Sequence, residues 1–170
     1  MTDTATRADD GRGFDNVPEI YDRIRPGYPE PLFDDLLSFL EQASPQRDLR
    51  AVEIGPGTGQ ATRPLLERGI AVTAVEPGER LAAYLREKLR DDSPGLEVVN
   101  ATFEECDLES GTYDLILAAT SFHWIDPQIR LRKSHDLLRE GSHEALGRVE
   151  TRLNLGLGPG QGHPVAGREG

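Results

Sequence analysis

Val52-Glu53-Ile54-Gly55-Pro56-Gly57-Thr58-Gly59 is the stretch on which the fold turns. An apolar run (Ala51, Val52, Ile54) enters three glycines at alternate positions, and a helical pattern follows from Ala61 to Arg68. Glycine is needed where a strand turns sharply into a helix while the backbone passes close to a ligand, because a Cβ would collide there. A second apolar run, Ile70 to Val75, ends in another acid, Glu76. In a strand–loop–helix–strand unit that acid stands at the carboxyl end of the neighbouring parallel strand, where a carboxylate can accept both hydroxyl hydrogens of a ribose. A tight turn in some other α/β protein explains the glycines alone. The glycines with both acids point to a nucleoside-binding crevice.

The glycine spacing says which nucleoside. A dinucleotide fingerprint places its third glycine three residues after the second, so that a pyrophosphate rests on the helix N-terminus. Here Gly59 comes one residue early and Gln60 stands in that place. Glu53 would repel a pyrophosphate but attract an ammonium. S-adenosylmethionine carries an ammonium and a ribose and no phosphate. On Glu53, Gly55, Gly57, Gly59 and Glu76 the chain resembles the class I S-adenosylmethionine-dependent methyltransferases, and an NAD-dependent oxidoreductase is disfavoured.

The resemblance extends both ways. Tyr21-Asp-Arg-Ile-Arg25-Pro-Gly-Tyr28-Pro29 is similar to a segment of a subgroup acting on small molecules. Val98-Val-Asn-Ala-Thr102-Phe103-Glu104 resembles the end of the third strand. Tyr113-Asp114-Leu-Ile-Leu-Ala-Ala119-Thr-Ser-Phe122-His123-Trp124 resembles the fourth strand and its loop. The implied cofactor is S-adenosyl-L-methionine, and the implied activity is methyl transfer to a small organic acceptor. By resemblance, Glu53 holds the methionine ammonium through water, and the three glycines let the backbone approach the cofactor. Glu76 binds the ribose, Pro77 lies beside the adenine, and Thr102 and Phe103 border it. Many relatives carry an aspartate at the Thr102 position, and threonine accepts from the adenine amino group only weakly. Ala119 and Thr120 lie where the methionine end passes. Tyr21, Arg25 and Tyr28 would belong to a segment closing over the cofactor, with Arg25 paired to the methionine carboxylate, or else would pack that segment onto the body. His123 is either a base toward the acceptor or, the favoured reading, a packing partner of Trp124. Trp124 and Phe122 would form an apolar lip.

With 170 residues, 36% of them hydrophobic, the chain has the size of one domain with a lean core. A formal net charge of −11 argues against nucleic acid as a partner, because no basic stripe neutralises phosphates. No apolar run approaches membrane-span length, and the polar residues 1–13 predict a disordered start without a secretory signal. The single cysteine, Cys106, excludes an internal disulfide, fits a cytoplasmic location, and reads as a packing thiol. His135, His143 and His163 lack metal-ligand spacing.

Coarser patterns fill in the elements. An amphipathic helix runs from Pro29 to Glu41, and a glycine-loop helix runs from Thr58 to Arg68, capped by Gly69, with Pro64 placed to bend it. Helix Glu79–Arg90 follows, and Asp126-Pro127 starts a helix to Arg139. Strands are expected at Ala71–Val75, Leu96–Asn100 and Tyr113–Ala118. The alternation predicts a Rossmann-like parallel α/β sheet with helices on both faces. In the family, the strand order is 3-2-1-4-5-7-6; here only 3-2-1-4 is legible, within an incomplete domain spanning residues 14–141. After Gly141 the pattern stops, and residues 142–170 form an irregular glycine-rich tail. That break predicts a truncated or frameshifted chain, a flexible extension being the alternative. Missing strands would leave the fourth strand as an edge for self-association, with marginal stability and activity at risk.

Overall fold

The computed structural model describes residues 15, 18–24, 26–45, 48–90 and 94–140. The expectations for residues 1–13 and 142–170, for Arg25 and for the Tyr21 side chain lie outside that set. Four parallel strands, β1 (Arg50–Ile54), β2 (Ala71–Val75), β3 (Leu96–Val99) and β4 (Leu115–Leu117), stand in the order β3-β2-β1-β4. The helices are α1 (Pro18–Ile24), α2 (Glu30–Ala43), α3 (Thr62–Glu67), α4 (Glu79–Lys88) and α5 (Pro127–Leu137). This is the Rossmann-like arrangement expected from the alternation of patterns.

Side-chain alternation along the strands divides the core in two. Ala51, Val72, Ala74, Leu115 and Leu117 meet Phe33, Leu36 and Leu40 of α2, Leu65 of α3 and Leu85 of α4. Val52, Ile54, Val75 and Ile116 turn to the other face, against Phe103, Ile125 and Leu137. Burial on both faces explains why β1, β2 and β4 read as near-continuous apolar runs. Register then sets the site. Glu53 lies level with Ala74 and Leu117, and Ile54 with Val75, so three strands end together.

Local signals hold where the chain's own geometry decides. Gly69 has φ 77°, with Gly69 N–H donating to Leu66 and Ile70 N–H to Leu65. That pair of bonds is a Schellman cap. Asp126 Oδ1 accepts from Gln128 N at 2.8 Å, and Pro127 follows it as the first helical residue. The glycine-loop helix begins later than its pattern suggests, because residues 57–61 form turns and α3 opens at Thr62. Pro64 therefore sits in the first helical turn, where its missing N–H costs no intrahelical bond.

The fourth strand is shorter than its apolar run. Asp114 lies at its base, 1% exposed, and its carboxylate accepts from Arg50 N at 2.9 Å and from the Arg139 guanidinium at 3.1 Å. Tyr113 turns to the opposite neighbour: it forms a parallel bridge with Leu138, and Arg139 N–H donates to Tyr113 O at 2.9 Å. The chain leaving α5 thus begins to pair with β4 on the side away from β1. Among the described residues no strand continues that pairing, and no helix is long and apolar enough to cross a membrane. Cys106 is buried, its thiol donating to Phe103 O and its acidity lowered by burial.

Candidate cofactor and active site

The three strand ends open into a cavity of about 670 Å³, a usual size for a small-molecule site. The glycine loop forms its floor, and each glycine is there for a separate reason. Gly55 has φ 65°, and a Cβ on it would lie 2.6 Å from Ser121 Cβ, so glycine here lets the loop after β4 touch the end of β1. Ser121 Oγ seals that contact by donating to Ile54 O. Gly57 has φ 58° and lines the cavity, with its N–H turned to Glu76. Gly59 has φ 89° but does not line the cavity: a Cβ there would lie 2.7 Å from Leu85 Cδ1 of α4. It acts through packing. Gly59→Ala is expected to cost about 1–2 kcal/mol in a denaturant melt, from left-handed strain and the crowded helix contact, with the cavity wall intact.

Both acids of the motif are buried. Glu76 is 5% exposed, its Oε2 accepting from Gly57 N at 3.1 Å and Oε1 from Gly78 N at 2.9 Å. Burial raises its pKa, and the two N–H donors partly oppose the rise. Its backbone is held too, because Glu76 N–H donates to Val99 O and Asn100 Nδ2 to Glu76 O. Glu53 is 2% exposed and accepts from Thr62 Oγ1 at 2.7 Å. Burial pushes its carboxyl up to about 7, and the neighbouring charge of Glu76 adds to that. Both line the cavity, as does Gly57.

The side walls come from the loops after β2, β3 and β4. Pro77, Thr102 and Phe103 border the cavity. The Thr102 hydroxyl donates to Glu105 Oε2 at 2.8 Å and accepts Glu105 N–H at 3.2 Å, so it caps a turn. Phe103 is buried under the Lys133 ammonium, 5.3 Å from its ring centroid. Ala119 borders the cavity too, and Tyr28 Oη donates to its carbonyl at 3.2 Å. Thr120 beside it has φ 81°, a strained backbone for a β-branched residue. His123 is exposed and lines the cavity, its ring 4.5 Å from that of Trp124. One cavity therefore gathers all the described candidates except Gly59 and Phe122, the latter packed against the core cluster of Val52 and Ile54. Sequence reasoning missed Ser121, Gln60 and Glu105 as lining residues. Only the serine carried a local cue, a small side chain just beyond an apolar strand.

Residues 52–146 match the family described as the methyltransferase domain, more than half of the chain. The chain belongs to the class I S-adenosylmethionine-dependent methyltransferases. The chain is 33% identical over 143 residues to an uncharacterised methyltransferase of Mycobacterium bovis, covering 84% of this chain and 54% of that protein. A shorter stretch of 63 residues, 37% of this chain and 16% of the other, is 49% identical to an rRNA adenine N-6-methyltransferase of Saccharopolyspora erythraea. Among solved structures, the CcbJ methyltransferase of Streptomyces caelestis matches with a TM-score of 0.59 at 26% identity, over 76% of this chain and 54% of that one. The chain spans about half the length of the Mycobacterium relative.

Proposed function

We propose that this chain binds S-adenosylmethionine and forms the cofactor-binding part of a methyltransferase for a small organic acceptor. The observation that carries the reading is the pair of buried carboxylates, Glu53 and Glu76, lining the same cavity as Gly57. That donor set suits a ligand with an ammonium at one point and ribose hydroxyls at another, and it disfavours a pyrophosphate. When bound, the cofactor supplies a methyl group on an activated sulfonium, so alignment and exclusion of water are what the protein adds.

The residues divide accordingly. Glu53 would take the ammonium and Glu76 the ribose hydroxyls, with Pro77 and Phe103 against the adenine. Thr102 already spends its hydroxyl on Glu105, so the carboxylate of Glu105 is the stronger acceptor at that wall. His123 would take a proton if the acceptor must lose one. A small acceptor is supported by charge. The cavity lining described carries five carboxylates (Glu53, Glu76, Glu104, Glu105, Asp126) and no lysine or arginine. Together with the net charge of −11, this opposes a polyanionic acceptor such as RNA. A second reading is a chain that binds cofactor without turnover.

Calorimetric titration of the full chain with S-adenosylhomocysteine, after a cooperative melt is established, tests the reading. One micromolar site per chain is expected. Absence of binding by a folded chain would overturn the cofactor assignment, and binding without methyl transfer to any acceptor screened would select the second reading.

A further inference from the structure

Gln60 and α1 stand outside the roles assigned so far, yet they meet. Asp22 of α1 accepts from Lys88 Nζ of α4 at 2.5 Å, from Tyr84 Oη at 3.0 Å and from Gln60 Nε2 at 3.2 Å. The same Lys88 ammonium donates to Thr58 O at 2.8 Å, and the same Gln60 amide donates to Thr58 Oγ1 at 2.7 Å. Thr58 is fully buried in the glycine loop, and Gln60 lines the cavity. Lys88 and Asp22 side chains are 25% and 22% exposed, so the pair is shielded from solvent screening more than a surface pair is. Burial alone would raise the Asp22 pKa, but the Lys88 ammonium and the Tyr84 hydroxyl outweigh it and hold the carboxyl ionised.

We propose that Asp22, through Lys88 and Gln60, is a positioning residue that clamps α1 onto the glycine loop and sets the loop for cofactor binding. The loop is then held at two adjacent residues in its middle. Glu76 fixes Gly57 on one side, and Lys88 with Gln60 fixes Thr58 on the other. Gln60 replaces the glycine of a dinucleotide motif, and a glycine there would have no side chain to reach Asp22. Pinning a ligand loop before the ligand arrives raises affinity by removing the cost of ordering it. The inference rests on the cofactor reading above for its affinity consequence, but not for its structural one.

Two readouts on the 170-residue chain separate the two ideas. In Asp22→Asn, Lys88→Met and the double variant, hydrogen exchange at amides of residues 57–61 should quicken in the ligand-free protein, while Val72 and Ala74 in β2 keep their protection. Affinity for S-adenosylhomocysteine should fall about tenfold in each single variant, and the double should lose no more than either, because one clamp is broken once. Unchanged exchange in the loop overturns the clamp whether or not the cofactor binds. Uniformly faster exchange across the sheet would show that the pair merely stabilises the fold, and overturns it equally. The loop effect in the variants, with no S-adenosylhomocysteine binding by the wild type, would sink the cofactor reading and leave the clamp standing.

Discussion

Replacing Glu76 by alanine is expected to weaken S-adenosylhomocysteine binding by about 1–3 kcal/mol, one to two orders of magnitude in affinity. Two effects contribute. The first is direct, the loss of the carboxylate that would accept the ribose hydroxyls. The second acts through the loop. Glu76 accepts from the N–H groups of Gly57 and Gly78, and its own residue is 5% exposed. Truncation strands those donors, and the loop loses one of its two anchors. Orphaning them costs about 1–3 kcal/mol of stability unless water replaces the carboxylate. Glu76→Gln separates the contributions, because a carboxamide oxygen still accepts but the amide nitrogen does not. Calorimetry and a denaturant melt on both variants measure each term. Wild-type affinity in the alanine variant would remove Glu76 from the ribose site.

How much of this was legible in sequence follows from which interactions are local. The alternate glycines and their flanking acids are spaced by backbone geometry, so they announced the loop and the carboxylates. Gly69 and Asp126-Pro127 act within one helical turn, and their caps follow from conformational preference alone. What stayed hidden depends on residues far apart in the chain. Gly55 is small because Ser121 comes against it, and Gly59 because Leu85 does. Neither contact leaves a trace in the motif. Asp22 sits in a segment recognised for its tyrosines and arginine, while its partners are on α4 and in the glycine loop. Thr102 was assigned to adenine from its position, but a side chain three residues on takes its hydroxyl. The end of β4 shows the same limit: apolar character predicts burial, whereas pairing is decided by Asp114 and by Tyr113 turning to Leu138.

Glu53 should make both stability and cofactor binding depend on pH. Its carboxyl is held at about 7 in the folded chain, against an ordinary 4.5, because it is buried and Glu76 lies near. The folded state therefore binds a proton that the unfolded state has already released between those two values. Stability then falls as pH rises through this window and levels off above about 7. The difference corresponds to about 3 kcal/mol as an upper bound, at about 1.4 kcal/mol per pH unit. Glu53→Gln removes the titration while keeping an acceptor for the Thr62 hydroxyl, so its melt should be flatter from pH 5 to 8 and more stable than wild type at pH 8. Binding should run the other way. An ammonium placed beside Glu53 favours the ionised carboxylate, so S-adenosylhomocysteine should bind the wild type more tightly at pH 8 than at pH 5.5. Near pH 6.5 binding should also release a proton, seen as a titration heat that changes with the ionisation enthalpy of the buffer. The glutamine variant should bind weakly at both pH values and release none. Buffer-independent heats in the wild type would mean that Glu53 does not meet the ammonium, and the acid would then serve only to hold Thr62 at the start of α3.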